Sequence, residues 1–408
     1  MILSKRSLFL ETSPTVAITS KAKLLKAQGK DVISFGAGEP DFDTPDFVKE
    51  AAIKAIKEGF TKYTPPAGIP ELREALAEKL KKENKLDYQK DEVVVTDGAK
   101  YALFTLFLSI LEEGEGVIVL SPYWVSYTEQ IKFAQGSVLI MDTTEDNFLP
   151  NEEKIKEVSR LVFERKPLPN YIKLIGHYPK RIKAIIINTP NNPTGAVYPK
   201  KVLEKVAEVC LKENIFIVSD ECYEKLVYEG EHISIGSLDK DVLDITFTIN
   251  AFSKAYSMTG WRVGYIASKI KEVNEAITKI ISQSTSNVCS IAQKAAVAAL
   301  KGPQDFLNKW KQAFIERRNY MCEFFDSLNI PYVKPQGAFY LFVDFNKVIS
   351  KKGYKSDMEF AKALLEEKLI ALVPGSAFGA PGYARLSYAT SLENIKEGLK
   401  RIREFIFS

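Results

Sequence analysis

The chain has 408 residues, 46% of them hydrophobic and 26% charged; the length predicts about two or three structural units and the composition a soluble globular protein. A formal net charge of +4, carried by lysines scattered along helical faces rather than in a basic stripe interleaved with aromatics, excludes nucleic acid as a partner. His177 and His232 are the only histidines, and Cys210, Cys222, Cys289 and Cys322 stand far apart, so no metal is expected and the thiols are expected to be reduced, as in the cytoplasm.

The first ten residues carry basic groups but no small-residue cleavage site, and no later segment offers the ~18 uncharged apolar residues of a membrane span. Residues before about Asp46 read as an arm with a helix around Ile18 to Gln28 and an extended turn. Glu92–Thr96, Gly116–Leu120, Ser137–Met141, Ala184–Asn188, Ile215–Ser219, Thr246–Asn250 and Gly264–Ala267 read as strands, with helical patterns such as Lys100–Leu111 and Lys200–Glu213 between several of them. This alternation predicts an α/β fold whose largely parallel sheet is covered on both faces. The stretch from Val158 to Lys183 reads as a surface insertion. Ser290 to Leu328 reads as a long helical pattern that suits a connector out of the large domain, followed by Ala338–Phe345, a helix near Met358–Lys368 and a last helix from Leu392. The expected organisation is an arm and part of a small α+β domain over 1–45, a large domain over 46–295, and a connecting helix with the rest of the small domain over 296–408.

The string Asn250-Ala-Phe-Ser-Lys254-Ala-Tyr-Ser-Met-Thr-Gly-Trp-Arg262-Val-Gly264 is the most informative. It sets a lysine directly after a predicted strand among small and apolar residues, where burial would lower its pKa, as an amine that condenses with a carbonyl requires. Arg262 could form a fork against a phosphate dianion, although a lysine near an arginine is by itself common surface decoration. Asn188-Thr-Pro-Asn-Asn192-Pro-Thr-Gly195 is built of turn formers. Ser219-Asp220-Glu-Cys-Tyr223 ends a predicted strand, where open α/β sheets hold ligands, yet an aspartate there also serves as a helix cap. Thr96-Asp-Gly98-Ala99-Lys100 joins a strand to a helix, whose first N–H groups suit an anion. Trp124, in Ser-Pro-Tyr-Trp-Val-Ser-Tyr, fits an ordinary core as well as a stacking surface.

Taken together and in order along nearly the whole chain, these motifs resemble the class I aminotransferases of fold-type I, which use pyridoxal phosphate (PLP), and within them the aspartate aminotransferases. The resemblance implies a large domain with a mostly parallel sheet and a small α+β domain. It implies that Lys254 anchors PLP and shuttles a proton, that Asp220 pairs with the pyridine nitrogen, and that Tyr223 and Asn192 hydrogen-bond the phenolic oxygen. Gly98, Ala99, Lys100, Ser253 and Arg262 would hold the phosphate, Trp124 would stack on the ring, and Tyr63 would reach the phosphate of a neighbouring subunit in a homodimer with shared sites. Arg385 would take the substrate α-carboxylate, with the Gly38 backbone and Phe339 lining the same pocket.

Two departures stand out. Ala251 occupies the position of a phosphate-binding serine, and Gln283-Ser-Thr-Ser-Asn287 lacks the arginine with which one branch of the family binds a second carboxylate. The chain instead resembles the bacterial and plant subgroup that uses a lysine in the phosphate loop, here Lys100, with Ser13 and Thr15 of Ser-Pro-Thr; that subgroup includes prephenate aminotransferases. The expected reaction is ping-pong transfer from aspartate to 2-oxoglutarate, with prephenate as a further substrate. The rival readings are a neutral or aromatic aminotransferase or another enzyme of the fold, a PLP-binding regulator, for which there is no room for a DNA-binding domain, and a nicotinamide oxidoreductase, for which the G-x-G-x-x-G turn is missing.

Overall fold

The computed structural model describes Leu10 and residues 14–408, with side chains described at Leu10 and from Ala17 onward. Ser13 and the Thr15 side chain therefore lie outside the described residues. In chain order the strands are β1 (Ile33–Ser34), β2 (Val93–Thr96), β3 (Glu115–Ser121), β4 (Ser137–Asp142), β5 (Ile172–Ile175), β6 (Arg181–Asn188), β7 (Phe216–Asp220), β8 (Thr246–Ala251), β9 (Gly264–Ala267), β10 (Tyr332–Val333), β11 (Tyr340–Asp344), β12 (Ile370–Ala371), β13 (Val373–Pro374) and β14 (Tyr383–Ser387).

The main sheet has eight strands in the order β2-β9-β8-β7-β6-β3-β4-β5. Its centre, β4-β3-β6-β7-β8, is parallel throughout, while β9 and β5 run against their neighbours. All seven residues of β3 and all six of β8 are buried, as expected for strands covered on both faces. Alternation along β6 and β7 divides the core. Ile186 and Val218 pack with Leu103, Leu106 and Phe107 of the helix Ala99–Ile110. Ile185, Ile187 and Ile217 pack on the other face with Leu203, Val206 and Cys210 of the helix Lys200–Glu213. Each large apolar side chain so buried contributes about 1.5–3 kcal/mol.

A second sheet, β10-β11-β14-β13, is antiparallel and carries the helices Asp357–Lys368 and Leu392–Phe407. The two ends of the chain meet where β1 pairs in parallel with β12, Ile33 opposite Ile370. Fold-type I architecture, with a mostly parallel sheet flanked by helices and a smaller antiparallel unit, is thus what the chain adopts.

Two expectations need correction. The Val158–Lys183 stretch is not simply a surface insertion: it begins within the helix Glu152–Phe163 and supplies β5, which pairs antiparallel with β4 as the last strand of the main sheet. Exposed Lys173 marks that outer edge, where a charge discourages further pairing. Nor is Ser290–Leu328 one helix. Gly302 and Pro303 break it into Ser290–Lys301 and Asp305–Ser327, because proline cannot continue the ladder, and the bare Gly302 leaves room for the Phe47 ring, from which a Cβ would stand 2.3 Å. Among the described residues no helix is long and apolar enough to cross a membrane.

Candidate active site

The carboxyl ends of β2, β6, β7 and β8 converge on a cavity of about 500 Å³, whose opposite wall comes from the small sheet and the N-terminal segment. Open α/β sheets present ligand sites at these strand ends, where backbone groups and helix starts are free to face a ligand.

β8 runs straight into the four-residue helix Phe252–Ala255, which delivers Lys254 into the cavity with Ala251 and Ser253 beside it. The Lys254 Nζ donates to the Gly38 carbonyl and lies 5.9 Å from the centre of the Tyr223 ring. Burial lowers its pKa to about 8, with the cations Arg385 and Arg262 pushing the same way. At the end of β7, Asp220 is buried; it accepts from the Tyr127 hydroxyl at 2.5 Å and from the Cys222 N–H at 3.2 Å. Burial pushes its carboxyl up, and those hydrogen bonds hold it back only in part. Asn188, ending β6, ties the strands together by donating to the Asp220 carbonyl at 3.0 Å and accepting from the Asn192 N–H at 2.9 Å.

One corner of the cavity is shaped for an anion. Gly98 precedes the helix Ala99–Ile110 with φ +83°, a left-handed value suited to glycine, and a Cβ there would stand 2.5 Å from Arg262 Nη2. A Cβ on Gly264 would lie 2.7 Å from the Ala99 nitrogen, so the loop can pack against β9 only because that position is bare. Arg262 spreads its fork here, donating to Thr259 O and Asp97 O at 2.9 Å each. A helix start with free N–H groups beside a guanidinium is an anion cradle. Lys100 and Trp124 complete this side, the Lys100 Nζ lying 5.1 Å from the centre of an indole ring. Burial lowers the Lys100 pKa, and the Arg262 charge adds to that.

On the other wall Arg385 of β14 is 2% exposed. Its Nη1 donates to Asn192 Oδ1 at 2.8 Å and its Nη2 to Gly36 O at 3.0 Å, while its Nε is buried without a hydrogen-bond partner. Its guanidinium lies 4.2 Å from the centre of the Tyr340 ring.

The structure therefore gathers Lys254, Asp220, Tyr223, Asn192, Arg385, Arg262, Ser253, Ala99, Lys100, Trp124 and Gly38 around one cavity, with Gly98 directly behind Arg262. Phe339 is not on the wall. It is fully buried behind it, 5.6 Å from the Tyr223 ring and 5.5 Å from Phe314, and its neighbour Tyr340 faces the cavity instead. Successive residues of an extended chain point to opposite sides, so a one-residue shift exchanges wall for core. Tyr63 is 88% exposed and does not line the cavity of its own protomer. Sequence reasoning missed Tyr340, Asn188 and Tyr127 as site residues; Tyr127 ends the same Ser-Pro-Tyr-Trp-Val-Ser-Tyr string as Trp124.

The sequence profile of the family Aminotransferase class I and II matches residues 30–402. The chain belongs to that family and is a PLP-dependent aminotransferase. Among its relatives, the probable aspartate/prephenate aminotransferase of Aquifex aeolicus (strain VF5) is 50% identical over 407 residues, covering 98% of each chain. The aspartate aminotransferase of Geobacillus stearothermophilus is 47% identical over 412 residues, covering 100% of this chain and 99% of its own. The solved structure of the aspartate aminotransferase from Thermus thermophilus with maleate superposes with a TM-score of 0.90 at 44% identity, covering 99% of both chains.

The residues present fit the cofactor. A phosphate dianion suits the Gly98–Arg262 cradle, a cationic ring nitrogen suits the buried Asp220 carboxylate, an aromatic ring suits Trp124, and a carbonyl suits the Lys254 amine of lowered pKa.

Proposed function

We propose that this aminotransferase moves the amino group of L-aspartate to 2-oxoglutarate, giving oxaloacetate and L-glutamate, with PLP anchored on Lys254. The observation that carries the reading is one cavity holding an amine of lowered pKa together with Arg385 and Lys100, cations on walls that come from different sheets, in addition to the Arg262 fork of the anion cradle. Aspartate and 2-oxoglutarate each carry two carboxylates, and a guanidinium takes one of them bidentately. Arg385, with Gly38 nearby, takes the α-carboxylate; Lys100 takes the distal one. Prephenate also carries two carboxylates, which the same pair of cations would accept, and relatives named for both substrates agree with this.

Bound PLP supplies an electron sink for the charge left at the substrate Cα. Asp220 would hold the positive charge of the ring nitrogen, and Tyr223 and Asn192 would hold the phenolic oxygen. The Arg262 fork, the Ser253 hydroxyl and the first N–H groups of the helix from Ala99 would hold the phosphate. With the cofactor bound, the Lys254 amine would take the proton from the substrate Cα and return one as general acid, a task suited to an amine whose pKa burial brings down to about 8 in this chain. The second half-reaction runs the same proton path in reverse with 2-oxoglutarate, so the kinetics are ping-pong. Tyr63, aromatic and exposed on its own protomer, is assigned to the neighbouring site of a homodimer. Free thiols at Cys210, Cys222, Cys289 and Cys322 fit a reducing compartment, so the cytoplasm is proposed as the location.

The test is to load the purified protein with PLP and follow the cofactor's absorption as aspartate and then 2-oxoglutarate are added. Conversion to the amine form and its reversal support the reading; a cofactor that ignores aspartate but answers a neutral amino acid overturns the substrate. Lys100→Ala is expected to raise KM for aspartate by roughly 10- to 100-fold, in line with losing one charge-assisted contact, while leaving a neutral amino acid nearly unaffected. Equal losses for both would remove Lys100 from the distal site.

A further inference from the structure

Tyr340 stands between the two halves of the site and has no part in the reaction scheme above. In the small sheet Tyr340 is opposite Ser387 and Phe342 is opposite Arg385, so Tyr340 and Arg385 are diagonal neighbours on one face. That register lays the Tyr340 ring on the guanidinium, 4.2 Å from its carbon. At its other end the Tyr340 hydroxyl lies 2.7 Å from the Tyr223 hydroxyl, and both side chains are buried. Gly38 leaves room for this hydroxyl, since a Cβ there would stand 3.3 Å from it. A chain of direct contacts thus runs from Arg385 through Tyr340 to Tyr223.

The hydrogen count gives the chain a direction. Each phenol has one hydrogen to donate. If the Tyr223 hydrogen goes to the cofactor's phenolic oxygen, as the proposed function has it and as this inference requires, the hydrogen between the two tyrosines comes from Tyr340. We propose that Tyr340 is a positioning residue that couples Arg385 to Tyr223: it donates to the Tyr223 oxygen, and the firmness of that donation follows the charge that Arg385 presents to its ring. Burial raises the Tyr340 pKa and the Arg385 charge lowers it again, so the bare guanidinium makes this phenol the better donor. A substrate carboxylate on Arg385 cancels that charge. Tyr340 then donates less firmly, Tyr223 supports the phenolic oxygen less, and the Lys254 nitrogen joined to the cofactor holds its proton more tightly.

Tyr340→Phe keeps the ring on Arg385 and removes only the hydroxyl. The measurement is the pH midpoint of the cofactor's absorption change in the loaded enzyme, with and without saturating succinate, for wild type, Tyr340→Phe and Tyr223→Phe; thermal melts confirm that each variant is folded. The expected result is a midpoint raised by some tenths of a pH unit in Tyr340→Phe, a larger rise in Tyr223→Phe, and a smaller succinate-induced rise in Tyr340→Phe than in wild type. A Tyr340→Phe midpoint equal to wild type, or a succinate-induced rise as large as in wild type, while Tyr223→Phe does shift, overturns the coupling and leaves the proposed function intact. No shift in Tyr223→Phe overturns both the coupling and the role given to Tyr223.

Discussion

Asp220 and Glu221 are consecutive carboxylates at the end of β7, both buried, and they look in opposite directions. Asp220 opens on the cavity, and its side chain is met by the Tyr127 hydroxyl and by the backbone N–H and thiol of Cys222. Glu221 turns away into a closed polar network. Its oxygens accept from Ser219 at 3.0 Å, Ser234 at 2.6 Å and Asn84 at 3.2 Å, and one of them lies 3.0 Å from His232 Nε2. Asn84 also donates to Glu224 at 2.5 Å, and Glu224 is paired with the ammonium of Lys79. Burial alone does not distinguish the two carboxylates; what differs is whether the protein completes their hydrogen bonds and charge. Glu221 has its partners within the chain, whereas the cavity side of Asp220 is left to a ligand. A buried charge that the fold does not neutralise is a marker of function, and one that it does neutralise is scaffold.

That contrast gives the expected outcomes their order. Asp220→Asn is expected to cut turnover by roughly two to four orders of magnitude, the scale on which a group that maintains a reactive protonation state acts. Its stability without cofactor should be unchanged or higher. Asp220 has a raised folded pKa, so it costs stability once the pH exceeds its unfolded value, and the neutral amide removes that cost. Single-turnover absorption and chemical denaturation of the same preparation read the two effects. Lys79→Met is expected to do the reverse: leaving Glu224 buried without its cation costs about 3–5 kcal/mol, with kcat of the folded loaded enzyme close to wild type.

Glu221→Gln should cost about 1–3 kcal/mol, because its donors stay buried with a weaker acceptor, again with little change in kcat. A loss of turnover matching that of Asp220→Asn would show that the two faces of β7 are not separate. The smallest expected effects are on pH dependence. Burial tends to lower the His232 pKa and Glu221 overrides it, so the net direction is upward from 6.5. Stability from His232 is therefore fully present below pH 6.5 and is lost as the pH rises through the higher folded value. In Glu224 burial raises the carboxyl, but Lys79 and His232 outweigh it and bring it from 4.5 to about 2, so its contribution is present above pH 4.5 and lost as the pH falls towards 2. Denaturation midpoints of His232→Gln across pH 6 to 9 should be flatter than those of wild type.

Much of the main sheet was legible because its strands are short apolar runs separated by helical patterns, and the Gly264–Ala267 strand and the Lys200–Glu213 helix occupy the predicted residues. Most cavity residues were legible for a related reason: Lys254, Asp220 and Asn192 sit at or just beyond strand ends, in local strings whose chemistry does not depend on distant pairing. Tyr340 was not legible, since its place beside Arg385 exists only through the pairing of β11 with β14. The same dependence on register placed Phe339 on the wrong side of the wall. The network around Glu221 joins Asn84, Glu224 and His232 from separate segments, and no local pattern announces it. β5 escaped notice because four residues at a sheet edge, one of them a lysine, carry too little periodicity.

The short segment Gly36–Gly38 has a consequence for selectivity. Its carbonyls accept hydrogen bonds from Arg385 and from Lys254, so the protein's own backbone acts as a weak resident ligand for both cations. A guanidinium has five N–H donors, and Arg385 gives one to Asn192 and one to Gly36, so this internal tenant orients the fork while the remaining donors stay available to a ligand. A carboxylate takes those donors in charge-assisted bonds roughly twice as strong as an amide or an alcohol can make. The segment therefore sets the angle at which Arg385 meets a carboxylate before any chemistry begins.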